Sequence, residues 1–171
     1  MILVGIGSNL AAAGFDSPLD TAAAALAELP RGGVAVARRS RWYLSEPVPP
    51  SDQPWYVNAV LEAESGLAPL SLLDCLLAVE ERFGRRRGAR NAARTLDLDL
   101  LDYDGRQCAG ERLVLPHPRL HERRFVLAPL AEIAPRWRHP TLGLSAARLL
   151  ARLPPGQPVR AWGDSEAPPH A

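Results

Sequence analysis

Arg94-Thr95-Leu96-Asp97-Leu98-Asp99-Leu100 alternates leucine with polar residues. A β-strand sends successive side chains to opposite faces. The stretch therefore predicts a strand with Leu96, Leu98 and Leu100 toward a core and Asp97 and Asp99 together on the other face. The two carboxylates would stand roughly 7 Å apart along the strand. Acids that close repel unless a positive group lies between them, and aspartate is depleted in strands. Hard divalent cations prefer oxygen ligands; Mg²⁺ takes one or two carboxylates together with substrate phosphates. Arg85, Arg86, Arg87, Arg90 and Arg94 lie in or beside the approach to this strand. A guanidinium cluster beside a metal-binding acid pair suits polyphosphate chemistry. The competing reading is a solvated strand face that holds no metal.

The same rules place the neighbouring elements. Ile2 to Ile6 is a short buried strand, and Gly7-Ser8-Asn9 a turn with Asn9 bonding locally. The two glycines only weakly match a phosphate loop. Segment 18–29 is helical by propensity, started by Pro18 and stopped by Pro30. Val34 to Leu44 predicts one long strand. The next loop holds Pro47, Pro49, Pro50 and Pro54, so it is stiff and poor in donors. Tyr56 to Glu64 alternates again, with Tyr56, Asn58 and Val60 on one face. An aromatic ring beside a carboxamide can stack on and hydrogen-bond a flat heterocycle; a half-buried sheet residue with a satisfied Asn is the plainer alternative. Ala68 to Phe83 is the clearest helix, with Leu70, Leu73, Leu77 and Glu80 on one stripe, Leu72, Leu76 and Phe83 adjoining it, and Gly84 as its cap. Glu80 could meet a ribose or pair with arginine. Segment 84–94 reads as a mobile, arginine-rich loop, or as a solvated charged surface. Beyond the strand over 95–103, Arg112 to Leu115 is a possible hairpin partner. His117 is held between Pro116 and Pro118, Glu122 to Ile133 is a helix kinked or bounded at Pro129, and 145–153 is a last short helix.

The order strand, helix, strand, strand, helix, strand predicts an α+β fold with a ferredoxin-like βαββαβ antiparallel sheet. Its helices would pack on one face, with a small C-terminal addition. A single domain over 1–162 and a frayed tail over 163–171 are expected. The chain has 171 residues, 47% apolar and 23% charged, ordinary values for one globular domain. A net charge of +1 gives no global attraction to nucleic acid or to an anionic membrane. Positive charge is local, at 82–94 and 119–124. Cys75 and Cys108 belong to no metal-binding spacing and read as reduced thiols of a cytoplasmic protein. No signal-peptide pattern or membrane-length apolar run is present, and a monomer is expected.

Several stretches, taken in order, resemble one family, the 6-hydroxymethyl-7,8-dihydropterin pyrophosphokinases of folate synthesis. They are Gly5-Ile6-Gly7-Ser8-Asn9-Leu10, Tyr43-Leu44-Ser45-Glu46-Pro47 and Gln53-Pro54-Trp55-Tyr56-Val57-Asn58-Ala59. Arg94 to Leu100, Leu115-Pro116-His117-Pro118 and Arg123 to Leu130 complete the set. The resemblance covers residues 2 to about 135 and rests on the ordered set, not on any single motif. It implies pyrophosphoryl transfer from ATP to the pterin hydroxymethyl group, with ATP as co-substrate and two Mg²⁺ ions on Asp97 and Asp99. It implies a pterin pocket of Ser45, Val48, Tyr56, Asn58, Asp97 and Phe125. It implies ATP contacts from Glu80, Arg85, Arg87, Arg94, Leu100, Arg112, His117 and Arg123, with Arg85 and Arg94 engaging the transferring phosphates. Segment 84–94 would be a lid that excludes water. This chain departs from the family at Asn91-Ala92-Ala93, where Trp-Gly-Pro is usual, so an aromatic lid contact is missing. Two other readings stand beside it: an RNA-binding module of similar fold, and an inactive scaffold of the same family.

Overall fold

An unbroken apolar run, buried on both faces, makes Ile2–Ser8 a strand, β1, two residues longer than expected. It is followed by α1 (Pro18–Glu28), β2 (Ala35–Arg39), β3 (Tyr43–Ser45), β4 (Tyr56–Glu64), α2 (Pro69–Arg82) and β5 (Asp97–Tyr103). A small hairpin, β6 (Cys108–Ala109) and β7 (Val114–Leu115), leads to α3 (Arg124–Ile133), α4 (Ala146–Arg152) and β8 (Val159–Ala161). The computed structural model describes residues 1–85 and 93–163. Arg87, the register over 86–91 and residues 164–171 of the expected tail lie outside the described residues.

The main sheet runs β5-β1-β4-β3-β8, with β2 also paired to β4. Every pairing in it is antiparallel. The single long strand expected over 34–44 is two strands. Residues 40–42 stand against only Ala59 and Val60, between the pairs Arg39↔Leu61 and Tyr43↔Asn58. The extra residue is a bulge, and Ser40 fills the gap in the ladder. Its hydroxyl accepts the Val60 N–H at 3.1 Å and its own N–H donates to Val60 O at 3.0 Å.

Helices cover both faces of the sheet, where the sequence suggested one. On one face, α1 and α2 pack on Ile2, Val4, Ile6, Ala59, Leu61, Leu98 and Leu100. On the other, α3 and α4 pack on Leu3, Val60 and Leu101. Each leucine so buried contributes about 1.5–3 kcal/mol. The buried residues of α2 are Leu72, Leu76, Val79 and Glu80, so the face turns toward the adjoining leucines, and Leu70 is exposed. The second apolar face follows from strand parity, since Leu3, Val60 and Leu101 lie on the acid side of the sheet, and β5 carries a bulge of its own. Val4 pairs with Leu100 but Leu3 pairs with Asp102, so Leu101 is the inserted residue. Leu101 packs on the α3 side, and Asp102 there accepts the Trp137 Nε1–H at 2.8 Å. Helix α3 runs through Pro129 without ending; the ring removes only the bond that would reach back to Phe125 O.

Candidate active site

Strand register builds the floor of a cleft on the α3 face. Gly5 lies opposite Asp99, and Gly7 lies opposite both Asp97 and Asn58. Directly paired residues share a face, so two glycines, two acids and an amide come together. Gly7 is a strand residue here, not part of a turn, and the missing side chains of Gly5 and Gly7 leave the space above the sheet open. A Cβ on Gly7 would sit 3.1 Å from Asn58 Oδ1. Asn58 is buried and fixed: its Nδ2 donates to Ser45 Oγ at 2.9 Å.

Both acids carry cationic partners. Arg94 Nη1 donates to Asp97 Oδ2 at 2.6 Å, and Arg123 Nη1 donates to Asp99 Oδ2 at 2.7 Å. Arg85 Nη1 lies 2.8 Å from Asp97 Oδ1. That contact is too poorly directed to be a hydrogen bond, so this buried oxygen has no hydrogen-bond partner. Burial, and then the charge of Asp99, push the Asp97 carboxyl above its ordinary value. His117 Nε2 stands 3.8 Å from Asp99 Oδ2. Burial lowers the His117 pKa, which leaves the ring neutral at pH 7.

Arg85 is placed by the end of α2. Gly84, at φ +76°, lets the chain turn so that the Arg85 N–H bonds Glu80 O and the Gly84 N–H bonds Glu81 O. This is a Schellman ending. The Arg85 side chain folds back onto the Glu80 carboxylate. Glu80 Oε1 also accepts the Leu98 N–H at 2.6 Å, satisfying the outer edge of β5 between the two acids. Burial pushes the Glu80 carboxyl from 4.5 up to about 7, outweighing the Leu98 N–H and Arg85, which favour ionisation. Between those values the folded protein keeps a proton that the unfolded chain has lost. Glu80 therefore costs nothing below pH 4.5 and lowers stability as pH rises through this window. Glu80→Gln keeps an acceptor for Leu98 and deletes the charge. Urea unfolding should show its stability, relative to the parent, improving from pH 5 to pH 8, by up to about 3 kcal/mol. A pH-independent difference would count against the buried charge.

Asn9 does more than shape its own turn. It is almost fully buried; its Oδ1 accepts the Arg94 N–H at 2.8 Å, and its Nδ2 donates to Gln53 Oε1 and Pro54 O. The Asn9 N–H returns a bond to Arg94 O at 3.1 Å. One side chain thus holds the main chain of Arg94 against the loop before β4. Asn9→Ala leaves buried groups unpaired, and unfolding free energy should fall by about 2–3 kcal/mol. A loss in chemical denaturation below about 0.5 kcal/mol would show that the clamp is dispensable.

The residues expected from the sequence divide in three. Ser45, Val48, Tyr56, Asn58, Arg94, Asp97, Asp99, Arg123 and Phe125 line one cleft, with Tyr56 at the start of β4 and Phe125 in the first turn of α3. Glu80, Arg85 and His117 lie against it through the contacts above. Leu100 and Arg112 do not line it. The Leu100 side chain is in the core under α2, as strand parity requires, so only its main chain could meet a nucleotide. Arg112 is exposed and pairs with Asp74 on α2. Further lining residues are Glu46, Pro47, Pro49, Arg119, Glu122, Val126 and Gln157. The proline loop and the charge at 119–124 signalled most of these; nothing in the sequence pointed to Gln157.

Among the described residues, no three or more His, Cys, Asp or Glu side chains form a metal cage, and no helix is long and apolar enough to cross a membrane. Relatives called 2-amino-4-hydroxy-6-hydroxymethyldihydropteridine pyrophosphokinase include one from Synechocystis sp., 42% identical over 152 residues, 88% of this chain and 75% of the relative. Another, from Pseudomonas aeruginosa, is 40% identical over 153 residues, 90% of this chain and 91% of its own. The fold is similar to a crystal structure of HPPK-DHPS in complex with substrates, at a TM-score of 0.62 and 13% identity. This chain spans 42% of that longer protein. A family model described as 7,8-dihydro-6-hydroxymethylpterin-pyrophosphokinase matches residues 3–135. That match covers both the acid pair and the arginines around it, and this chain belongs to the 7,8-dihydro-6-hydroxymethylpterin-pyrophosphokinase (HPPK) family.

Proposed function

We propose that this cleft binds ATP and 6-hydroxymethyl-7,8-dihydropterin and transfers pyrophosphate from ATP to the pterin hydroxymethyl group, releasing AMP, as a step of folate synthesis. One observation carries the reading. Asp97 and Asp99, with Arg85, Arg94 and Arg123 on their oxygens, share a cleft with Tyr56, Asn58 and Phe125. Polyphosphate chemistry and heterocycle recognition therefore meet at one place.

The acid pair fits Mg²⁺. It offers hard oxygen ligands, Asp97 Oδ1 has no hydrogen bond, and the charges of the two acids oppose each other. Two ions held by Asp97 and Asp99 would neutralise phosphate charge and make the attacking hydroxyl more acidic. Tyr56 and Phe125 would stack on the pterin while Asn58, oriented by Ser45, hydrogen-bonds its edge. Arg85, Arg94 and Arg123 would exchange carboxylate partners for phosphate oxygens, for which a planar fork is suited. His117, neutral and beside Asp99, would donate one hydrogen bond without adding charge. Glu80 acts by holding Arg85 and the β5 edge, and the main chain of Leu100, with Arg112 and Arg87, would complete the nucleotide site. The strand and helix order over 2–103 is read as the ferredoxin-like plan, in one domain acting as a cytoplasmic monomer.

The test is chemical. Protein incubated with ATP, Mg²⁺ and authentic 6-hydroxymethyl-7,8-dihydropterin should yield AMP and the pterin diphosphate in equal amounts by mass spectrometry. Intact ATP under those conditions would reject the reading, as would ADP in place of AMP.

A further inference from the structure

We infer that Gln157 is a positioning residue for the heterocycle end of the cleft, a role that lies outside the family match over residues 3–135. The inference rests on the pterin reading of that cleft. One wall of the cleft is the loop 46–49, whose Glu46, Pro47, Val48 and Pro49 all line it. Prolines at 47 and 49 have no N–H, so this wall has few donors with which to anchor itself. The chain after α4 supplies the anchor. Strand β8 pairs with β3, with Ser45 opposite Val159. The Glu46 N–H donates to Pro158 O at 3.3 Å, and Gln157 Nε2 donates to Glu46 O at 2.6 Å. Both main-chain polar groups of Glu46 are thus taken by residues 157 and 158.

Gln157 is also half-buried and lines the cleft itself. A carbonyl can only accept, so the bond to Glu46 O needs an N–H on residue 157. Ser45, which orients Asn58, immediately precedes the anchored residue. Loss of the donor frees the wall beside the heterocycle but leaves the acid pair, Arg94 and the helices as they were. The consequence falls on one substrate.

Two variants separate donor from bulk. Gln157→Ala removes both; Gln157→Glu keeps the volume and loses the donor. In steady-state assays of AMP formation, both should raise the KM for the pterin roughly 5- to 10-fold, the scale of one hydrogen bond. The KM for ATP and the melting temperature should stay near the parent's. Hydrogen–deuterium exchange without substrates should show faster exchange over 44–48 in both. Slow, parent-like exchange over that segment overturns the inference, and so does a pterin KM restored by Gln157→Glu. Equal rises in both KM values with a lower melting temperature also overturn it, since they describe general loosening. The two readings fail separately. Wild-type protein that makes no AMP removes the pterin reading, while exchange still decides whether Gln157 holds the loop.

Discussion

Asp97→Ala and Asp99→Ala should each lower turnover by roughly 10³-fold, since several kcal/mol of charge stabilisation depend on a divalent cation at such a site. Neither change should unfold the protein. Burial and the Asp99 charge already disfavour ionised Asp97 in the folded state, so removing either acid relieves a repulsion. The isosteric Asp97→Asn should be nearly as inactive as Asp97→Ala, because a neutral amide oxygen lacks the charge that a carboxylate brings to a hard cation. Isothermal titration with Mg²⁺ and a non-hydrolysable ATP analogue provides a second readout. Affinity for the metal–nucleotide complex should drop in each variant, while circular dichroism and melting temperature remain close to the parent's. Parent-like turnover in either variant would remove the acid pair from the mechanism.

Arg94→Ala should lower kcat by roughly 10²- to 10³-fold, the cost typical of losing a donor aimed at developing charge, with a smaller effect on the KM for ATP. Such a split follows if its contact strengthens as charge develops on the transferring group. The position is well defined before any substrate arrives. Asn9 grips the Arg94 main chain from both sides, and the guanidinium already reaches Asp97. Deleting the side chain leaves the main-chain clamp intact, so lost activity would not reflect a displaced loop. Arg94→Lys should recover little, because an ammonium lacks the planar fork that engages phosphate oxygens. A variant with normal kcat and only a raised KM for ATP would reassign Arg94 to ground-state binding.

Much of this site was legible because it follows from local periodicity. The two-residue repeat of a strand put Asp97 beside Asp99 and Tyr56 beside Asn58, and both pairs line the cleft. Gly84 signalled the helix end that places Arg85. The errors have equally specific causes. One strand was expected over 34–44 because a bulge preserves apolar alternation on either side of Ser40. Helices were placed on one face because the βαββαβ plan covers only one, and the order of segments does not say where α3 and α4 dock. Gly7 resembled a turn residue because glycine promotes turns; in a strand, the same missing side chain leaves room for a cleft.

From the chain alone came the segments, the parity of their side chains and the family, because each depends on neighbours in sequence or on their order. Tertiary structure decided which cations sit on the acids, that Asn9 clamps Arg94, and that the segment after α4 returns to hold the cleft wall. Those contacts join Asn9 to Arg94, Asp99 to Arg123 and Glu46 to Gln157. They arise when antiparallel pairing and helix docking bring distant segments within hydrogen-bond reach, and no local pattern encodes such a distance.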